Sequence, residues 1–215
     1  MVEICVTKSE TRKLYEETFD DPKEFVDYYY EDKCSDNTII VNKINGEVIS
    51  MVHLNPYILS VCKKTVKSYY LVAGATKKEM RGKGEQAKVM DLAFKLMKKE
   101  HIPFCYLLPV NEKRLTWEGF QKICSFSREK IDDYEKIKND FDIYCVRNDL
   151  YIRRMEKEKA IDEVWGGEVL PPKPSIMAKI IDLQSFSEMA GGEFTCDVDA
   201  LLWLKEKKIY ICEEV

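Results

Sequence analysis

The feature that most constrains the fold of this chain is an apolar strand followed by a basic loop and an amphipathic helix. Residues 69–76 form an apolar run that is typical of a strand, and apolar residues at helical spacing predict a helix over 85–100. A strand that leads through a short loop into a helix is a building unit of sheets covered by helices. We therefore predict a protein of the α/β or α+β class.

The loop between this strand and this helix contains Arg81, Gly82, Lys83 and Gly84. The start of a helix leaves several backbone N–H groups unpaired and carries a partial positive charge, and glycines let the backbone approach an anion closely. Arg81 and Lys83 add positive charge, so the loop predicts a pyrophosphate site. Its spacing is neither the GxGxxG of a dinucleotide fold nor the GKS/T of a P-loop. A basic loop whose glycines serve only to turn the chain is the alternative.

The rest of the chain predicts further helices and strands. Helices are expected over 7–19 and 22–31, the second capped by Asp21, and Asn45-Gly46 between two apolar, β-branched runs predicts a hairpin. The later elements are a strand at 104–108, a helix near 112–123, strands near 125–131 and 141–147, a helix over 149–164, a linker over 166–175 that is rich in glycine and proline, and then a strand, two helices and a strand. We expect these strands to form a mixed sheet with helices on both faces.

The composition argues against several classes of function. Apolar residues make up 45% of the chain, enough for a sizeable core, and the formal net charge of -4 argues against nucleic-acid binding, which favours a basic face. Eight cysteines are scattered without a CxxC pair, so we expect no metal site but small, reduced, buried side chains. No run is long enough to span a bilayer and the first residues lack an apolar leader. We therefore expect a cytoplasmic protein that does not bind membranes.

The loop resembles a motif of a known family. Arg81 to Gly84 after a strand is similar to the acetyl-CoA loop of GNAT acetyltransferases, whose pattern is Arg/Gln-x-x-Gly-x-Gly/Ala. Arg81 takes the first place of the pattern and Gly84 its central glycine, whereas Gln86 stands where the family usually has glycine or alanine. The resemblance implies a GNAT mixed sheet with flanking helices.

Other stretches follow one another in an order that resembles the enhanced-intracellular-survival (Eis) branch of this family. They are residues 54–57 (LNPY), 102–112 (IPFCYLLPVNE) and 118–120 (EGF), within a resemblance that covers residues 1 to about 147. After the linker, residues 175–183 resemble the opening of the branch's sterol-carrier-like C-terminal domain, and residues 209–215 resemble its last strand. The middle of that domain is missing, as is the branch's second GNAT-like unit.

The resemblance implies three regions. They are a GNAT acetyltransferase domain at 1–150, a helix and linker at 151–175, and a short, truncated sterol-carrier-like α/β segment at 176–215 that packs on the first domain.

The resemblance also implies the residues that hold acetyl-CoA as a cosubstrate. The pantetheine arm would pair with the backbone of Val72, Ala73 and Ala75, in a gap between the strands at 71–75 and 104–108. The pyrophosphate would rest on N–H groups of residues 82–87. The residues implied at this end of the coenzyme are Arg81, Gly82, Lys83, Gly84, Gln86 and Ala87.

The catalytic groups are harder to assign from the sequence. In the branch, the tyrosine that protonates the leaving thiolate lies just before the Gly-Phe step, where this chain has Leu115. Leu115 cannot donate a proton. Tyr69, Tyr70 and Tyr106 lie on strands near the expected site, and we predict that Tyr106 takes this role, while packing in the core or at the rim is the alternative for each. The resemblance implies that the C-terminal carboxylate, on Val215, helps to deprotonate the amine, with an acidic, solvated terminus as the alternative. We expect His53 to be a structural residue on a strand.

The predicted function is the transfer of an acetyl group from acetyl-CoA to a primary amine of a small molecule or peptide. An inactive module that binds CoA or another ligand on a GNAT scaffold is the alternative, and Leu115 and the shortened C-terminal segment favour it. The acceptor and any homo-oligomer stay open.

Overall fold

A computed structural model of the chain describes residues 1–109, 112–166 and 174–213. Within these ranges the protein has a mixed α/β fold, in which helices flank a mixed sheet. This architecture confirms the predicted fold class. By its internal contacts the chain divides into two compact units, the first formed by Met1–Asn55, Leu71–Leu96 and Asn148–Val169, and the second by Pro56–Tyr70, Met97–Arg147 and Leu170–Val215.

The first unit contains the antiparallel strands at the start of the chain. Its elements are β1 (Val2–Ile4), α1 (Arg12–Glu16), α2 (Lys23–Glu31), β2 (Thr38–Ile44), the first part of β3 (Glu47–Val61), the end of β4 (Lys64–Thr76), most of α3 (Glu85–Lys99) and α6 (Asp149–Trp165). The strands pair in the order β1-β2-β3-β4. The side chains of Tyr29, Ile39, Ile40, Met51 and Leu54 are fully buried and form much of the core of this unit.

The hairpin between β2 and β3 confirms the prediction from Asn45-Gly46. The strands pair antiparallel up to Ile44 and Glu47, and the two turn residues have φ angles of 51° and 81°. A two-residue turn with positive φ at both positions matches the right-handed twist of the flanking strands, so a local pattern was sufficient to locate it.

The helix α2 begins where predicted, but the predicted cap is wrong. Pro22 is the N-cap residue of the helix and makes no side-chain capping bond. The Asp21 carboxylate instead accepts a hydrogen bond from the Tyr15 hydroxyl at 2.7 Å. The predicted helix over 7–19 is a 3-10 turn at Lys8–Thr11 followed by α1.

The second unit contains parallel as well as antiparallel strand pairs. Its further elements are β5 (Phe104–Leu107), α4 (Glu112–Trp117), β6 (Gln121–Ser125), α5 (Tyr134–Asp140), β7 (Ile143–Cys145), β8 (Ser175–Ile180), α7 (Leu183–Ala190), α8 (Asp197–Lys205) and β9 (Ile209–Tyr210). β8 lies between β5 and β6 and pairs antiparallel with both, while β7 pairs with β3 and with β9. The side chains of Tyr70, Phe104, Tyr106, Phe120 and Phe186 are fully buried.

The strand that we predicted near 125–131 is wrong in position, because α4 ends earlier than the apolar pattern indicated. Gly119 adopts a left-handed φ of 85°, and the Phe120 N–H returns to the Leu115 carbonyl at 3.1 Å, which ends the helix. The strand therefore begins at Gln121. The segment after it forms α5, whose first turn is capped by the Asp133 side chain.

The helix predicted over 149–164 is confirmed by α6, which begins after the cap residue Asn148 and ends at Gly166 with φ 95°. The strand, helix, helix and strand predicted near the end of the chain are confirmed by β8, α7, α8 and β9. The two compact units are interleaved along the chain. The domain assignment at 1–150, 151–175 and 176–215 stays a prediction, because compact units need not coincide with domains.

The cysteines are mostly interior, as predicted. The buried ones are Cys5, Cys34, Cys105, Cys145 and Cys212. Cys124 is half-buried, whereas Cys62 and Cys196 are exposed, so the prediction is wrong for these last two. Among the helices of the described ranges, none is long and apolar enough to cross a membrane.

Candidate functional site

The end of β4 carries the residues that we predicted to pair with a pantetheine arm. The parallel ladder of β4 with β5 comprises the pairs Tyr69↔Cys105 and Tyr70↔Tyr106, while β4 itself continues through Thr76. Within that continuation Ala73 has a φ of 50°, a left-handed conformation that is uncommon for alanine and that interrupts regular strand geometry. Strain of this kind recurs at ligand sites.

Val72 and Ala73 are half-buried and Ala75 is buried. The Ala75 carbonyl already accepts a hydrogen bond from the Ser50 hydroxyl at 3.0 Å. A carbonyl oxygen has two lone pairs, so this bond leaves a second acceptor position on Ala75. The backbone role predicted for these three residues stays a prediction.

The loop after β4 is exposed and positively charged. Arg81, Gly82, Lys83 and Gly84 all lie at the surface of the first unit. The Arg81 Nε donates to the Thr76 carbonyl at 3.0 Å and so ties the loop to the end of the strand. The remaining guanidinium nitrogens and the exposed Lys83 ammonium place positive charge beside the two glycines.

Both glycines of the loop need a conformation that other residues rarely adopt. Gly82 has a φ of 75° and Gly84 a φ of 76°, and a Cβ added to either would meet nothing within 4 Å. The glycines therefore serve the backbone conformation, and the space beside them is open. Open space next to exposed backbone is what a bound phosphate requires.

The helix α3 begins directly after Gly84, and its first N–H groups have no acceptor within the helix. The Lys88 N–H donates to the Gly84 carbonyl at 3.2 Å, so this is the first bond of the helix and the N–H groups of Glu85, Gln86 and Ala87 precede it. Ala87 is exposed. These donors and the positive end of the helix dipole face the same end of the loop as Gly84.

The side chain of Glu85 is turned into the first unit. It is 8% exposed, and its carboxylate accepts hydrogen bonds from Asn42 Nδ2 at 2.6 Å and from Lys88 Nζ at 2.9 Å. A carboxylate in the first turn stabilises the helix dipole. Asn42 and Lys88 partly compensate its negative charge, so Glu85 repels an anion at the loop less strongly than an unpaired carboxylate would.

The side chain of Gln86 is held against the strands. Its Oε1 accepts hydrogen bonds from Ser50 Oγ at 2.9 Å and Thr76 Oγ1 at 3.0 Å, and its Nε2 donates to the Met51 carbonyl at 3.1 Å. The larger side chain, which departs from the glycine or alanine of the family pattern, is thus anchored on β3 and β4. Sequence reasoning missed this anchor, because its partners lie up to 36 positions away.

A cleft of about 340 Å³ adjoins the loop within the first unit. Its lining includes residues from the start of the chain, Leu14, Glu17 and Thr18, and residues from the end of β4 onward, among them Lys77 and Arg81. The lining thus contains both cations and carboxylates, and Lys77 forms an ion pair with Glu47. The cleft is a space in which a polar ligand could lie against the loop.

Tyr106, which we predicted as a catalytic acid, lies in the interior of the second unit. Its side chain is fully buried, its ring stacks on Tyr70 at 5.1 Å between centroids, and its hydroxyl is 3.8 Å from Cys145 Sγ. Burial, followed by the nearby Cys145 and Glu213, raises the pKa of Tyr106 well above its usual range. The phenol is therefore protonated at neutral pH, and the catalytic role stays a prediction.

The acidic end of the chain is buried as far as Glu213. This side chain is 7% exposed, and its Oε2 accepts a hydrogen bond from the Cys212 N–H at 3.1 Å. Its negative charge, after burial, helps to raise the pKa of Cys145 well above its usual range. Val215, whose carboxylate we predicted to act as a base, lies outside the described residues.

The two remaining residues from the sequence analysis are Leu115 and His53. Leu115 is half-buried near the end of α4. His53 is fully buried and its Nδ1 is 2.9 Å from the Tyr29 hydroxyl. Its structural role stays a prediction.

Comparison with known proteins identifies a family for more than half of the chain. Residues 7–120 match the family model described as an acetyltransferase (GNAT) domain. No curated protein matches the sequence significantly.

Solved structures are similar in fold. A protein of unknown function from Enterococcus faecalis, described as a "Probable N-Acyltransferase", has a TM-score of 0.62 and 13% identity over 88% of this chain and 74% of that chain. Rv2747 from Mycobacterium tuberculosis, in complex with CoA, has a TM-score of 0.50 and 12% identity over 84% and 98%.

A GCN5-related N-acetyltransferase from Anabaena variabilis has a TM-score of 0.50 and 14% identity over 58% of this chain and 33% of that chain. The present chain therefore spans only about a third of the Anabaena protein. Identities this low establish similarity of fold.

Proposed function

Because the chain belongs to the GNAT family of acetyltransferases and is a GNAT-type N-acetyltransferase, we propose that it transfers an acetyl group from acetyl-CoA to a primary amine. The observation that carries this proposal is the exposed, basic start of α3. Two left-handed glycines, Gly82 and Gly84, precede three N–H groups that have no acceptor within the helix, and Arg81 and Lys83 lie in the same loop.

The residues present fit a coenzyme pyrophosphate on chemical grounds. A diphosphate needs several N–H donors, positive charge and room for close approach, and the loop offers all three. Gln86 does not crowd this space with its side chain, which is hydrogen-bonded to Ser50 and Thr76. The backbone of Val72, Ala73 and Ala75 would hold the pantetheine arm in this proposal, and the Ala73 bend supports a special role for this part of β4.

The proposed chemistry needs two proton transfers. Acetyl-CoA supplies an activated thioester, and the neutral amine nitrogen forms a bond to its carbonyl carbon as the carbon–sulfur bond breaks. The nitrogen loses one proton and the departing thiolate gains one. We assign the first transfer to the carboxylate of Val215 and the second to Tyr106. The protonated state of Tyr106 supports its part, whereas its complete burial favours a packing role.

The finer assignments are also proposals. We place the chain in the Eis-type branch with a shortened sterol-carrier-like segment, which the order of β8, α7, α8 and β9 supports. The acceptor in this proposal is an amine of a small molecule or a peptide, and the protein acts in the cytoplasm without nucleic acid or membrane. Homo-oligomerisation would be tested by light scattering.

The alternative, an inactive module that binds CoA, is favoured by two observations. Leu115 stands where the branch has its acid, and the hydroxyl of Tyr106 faces Cys145 in the interior. A leucine cannot donate a proton, so the Leu115→Tyr variant should leave turnover unchanged or raise it.

Two measurements distinguish an active acetyltransferase from an inactive module that binds CoA. Calorimetry measures CoA affinity, and thiol release from acetyl-CoA measures turnover against a panel of amines. We expect micromolar binding and thiol release that depends on the amine. Binding without release on any amine would favour the inactive module, and a folded protein without CoA affinity would overturn both. Deleting Glu213 to Val215 should lower turnover with the amine far more than it lowers CoA affinity, and a truncated protein that folds and turns over at the full-length rate would exclude the terminal carboxylate as the base.

A further inference from the structure

A cluster of polar side chains lies in the interior of the first unit, where the end of β2, β3 and α2 pack together. Ile39 and His53 are antiparallel partners, as are Thr38 and Leu54, so the next pair in this register is Asn37 and Asn55. His53 and Asn55 are two positions apart and share one face of β3. These three side chains thus project toward the same region, where Tyr29 of α2 contacts them.

The cluster is connected by hydrogen bonds around the Tyr29 hydroxyl. This oxygen is 2.9 Å from His53 Nδ1 and donates to Asn55 Oδ1 at 3.4 Å. Asn37 Nδ2 donates to Asn55 Oδ1 at 3.1 Å and lies 3.4 Å from Cys34 Sγ. Asn37 is 4%, His53 0% and Asn55 1% exposed, so bulk water does not complete their hydrogen bonding.

Each of the three side chains retains one buried polar atom without a partner among the described residues. The atoms are Asn37 Oδ1, His53 Nε2 and Asn55 Nδ2. A buried polar group that loses water and gains no partner destabilises the folded state. Three such groups in one connected cluster would cost more free energy than one, so a bound molecule that pairs with them is favoured. Interior clusters of this kind are usually completed by an ordered water molecule.

The number of donor and acceptor groups without a partner does not depend on how the two amides are oriented. In the present orientation the Asn37 amide has a free acceptor and the Asn55 amide has a free donor. Turning both amides over would preserve the bond between them and would leave a free donor on Asn37 and a free acceptor on Asn55. One donor and one acceptor remain in either case, together with the His53 nitrogen.

The chemistry of the cluster selects a neutral ligand that can both donate and accept. Burial, and secondarily the charge of Lys8, lowers the pKa of His53 to about 3, so its ring is uncharged and Nε2 is either a donor or an acceptor. The Lys8 ammonium already donates to the backbone carbonyls of Cys34 and Asn37 and disfavours a second cation nearby. The free amide oxygen disfavours an anion.

We propose that Asn37, His53 and Asn55 hold an enclosed water molecule that completes this hydrogen-bond cluster. The water donates to the free amide oxygen, accepts from the free amide N–H and makes its third bond to His53 Nε2. It is part of the folded first unit.

A crystal structure of the full chain at a resolution that shows ordered water tests the proposal directly. We expect a density peak that refines as water within hydrogen-bond distance of His53 Nε2 and of at least one of the two amides. An empty space at this position, an ion or organic molecule in it, or a protein group that takes over the His53 Nε2 bond would each overturn the proposal.

The same water should be detectable in solution. Nuclear Overhauser measurements on the full chain should give a cross-peak between a long-lived water and the His53 ring or the Asn55 side-chain amide. Asn42 supplies the internal control, because it is also buried but its Nδ2 donates to Glu85 and its Oδ1 accepts from the amino terminus. The Asn42 amide should show no such contact, and equal water contact at Asn42 and Asn55 would contradict a dedicated site.

Discussion

Gly84 is the residue at which the proposed coenzyme site can be tested most directly. A side chain at this position has free space around it but must adopt a φ of 76°, which asparagine and aspartate tolerate better than other residues. The Gly84→Asp variant should therefore fold and place a carboxylate against the proposed pyrophosphate. We expect CoA affinity, measured by calorimetry, to fall by about tenfold or more, or roughly 1.4 kcal/mol, compared with Gly84→Asn.

The Gly84→Asn variant is the matched control for this measurement. It has the same size and the same backbone strain but no charge. Equal CoA affinity in the two folded variants would show that the pyrophosphate does not bind near Gly84. The proposed coenzyme site would then lose its main support.

His53 should make the stability of the protein depend on pH. The groups that face it are Tyr15, Tyr29 and Tyr30, with Lys8 as the nearby charge. Burial lowers the pKa of His53 from 6.5 to about 3, so the folded state keeps the ring neutral while the unfolded state takes up a proton below pH 6.5. This contribution to stability is complete above the unfolded pKa and is lost as the pH falls toward the folded one.

Chemical denaturation at pH 7 and pH 5 measures this effect. The His53 contribution should reduce the free energy of unfolding by about 2 kcal/mol between these values. The His53→Phe variant should lack that part of the pH dependence. A variant with the same dependence as the original chain would show that His53 titrates normally in the folded state.

At the scale of single elements, the start of α3 combines two roles in one short segment, anchoring of the helix on the sheet and binding of the coenzyme. The Gln86 side chain anchors the helix on Ser50 and Thr76, while the Lys83 side chain is exposed in the loop. We expect Gln86→Ala to lower the free energy of unfolding by about 1–2 kcal/mol and to leave CoA affinity within about twofold. Lys83→Ala should show the reverse pattern. Loss of CoA affinity in a stable Gln86→Ala variant would place this side chain in the binding site.

The buried guanidinium of Arg154 is one of the groups that hold the helix α6 against the end of α2 and the residues that follow it. Arg154 Nη2 donates to Asp36 Oδ1 at 2.9 Å and to the Asp32 carbonyl at 2.9 Å. Arg154→Met would remove these charge-assisted hydrogen bonds, so it should lower the free energy of unfolding by about 3 kcal/mol.

The neighbouring Arg153 provides the control for α6. Its side chain is 59% exposed and forms an ion pair with Asp32 at 3.1 Å. Because an exposed ion pair contributes little, Arg153→Met should cost less than about 1 kcal/mol in the same denaturation experiment. Similar losses in the two variants would mean that burial of Arg154 is not what stabilises α6.

The sequence predicted those elements whose signals are local. The hairpin at Asn45-Gly46 and the helix α6 carry their turn and cap residues within a few positions, so both could be located. The limits of α4 and β6 depend on Gly119 and on the pairing of β6 with β8, whose partner residues are fifty or more positions away, so periodicity alone could not locate them. At the candidate site the glycines and cations of the loop were readable, whereas the left-handed Ala73 and the partners of Gln86 are consequences of tertiary structure.

At the scale of the whole molecule, the location of the proposed coenzyme residues can be tested by measuring how acetyl-CoA changes the stability of the fold. All of them, from Val72 to Ala87, belong to the first compact unit. A ligand that binds only the folded state stabilises it by mass action, by about 2.7 kcal/mol at one hundred times its Kd. Acetyl-CoA should therefore stabilise whichever unfolding transition contains this unit.

Thermal unfolding with and without acetyl-CoA measures this linkage. For a chain of this size we expect the Tm to rise by about 5–10 °C at such a concentration, and the rise should shrink with added salt, because screening weakens contacts between the basic loop and phosphate. At the same concentration of acetyl-CoA, the Tm rise of Gly84→Asp should be at most about half that of Gly84→Asn, because a tenfold loss of affinity lowers the stabilisation to about 1.4 kcal/mol. A Tm shift of equal size in the Asp variant would mean that acetyl-CoA stabilises the fold from another site, and the assignment of the loop would fail even though the protein binds the coenzyme.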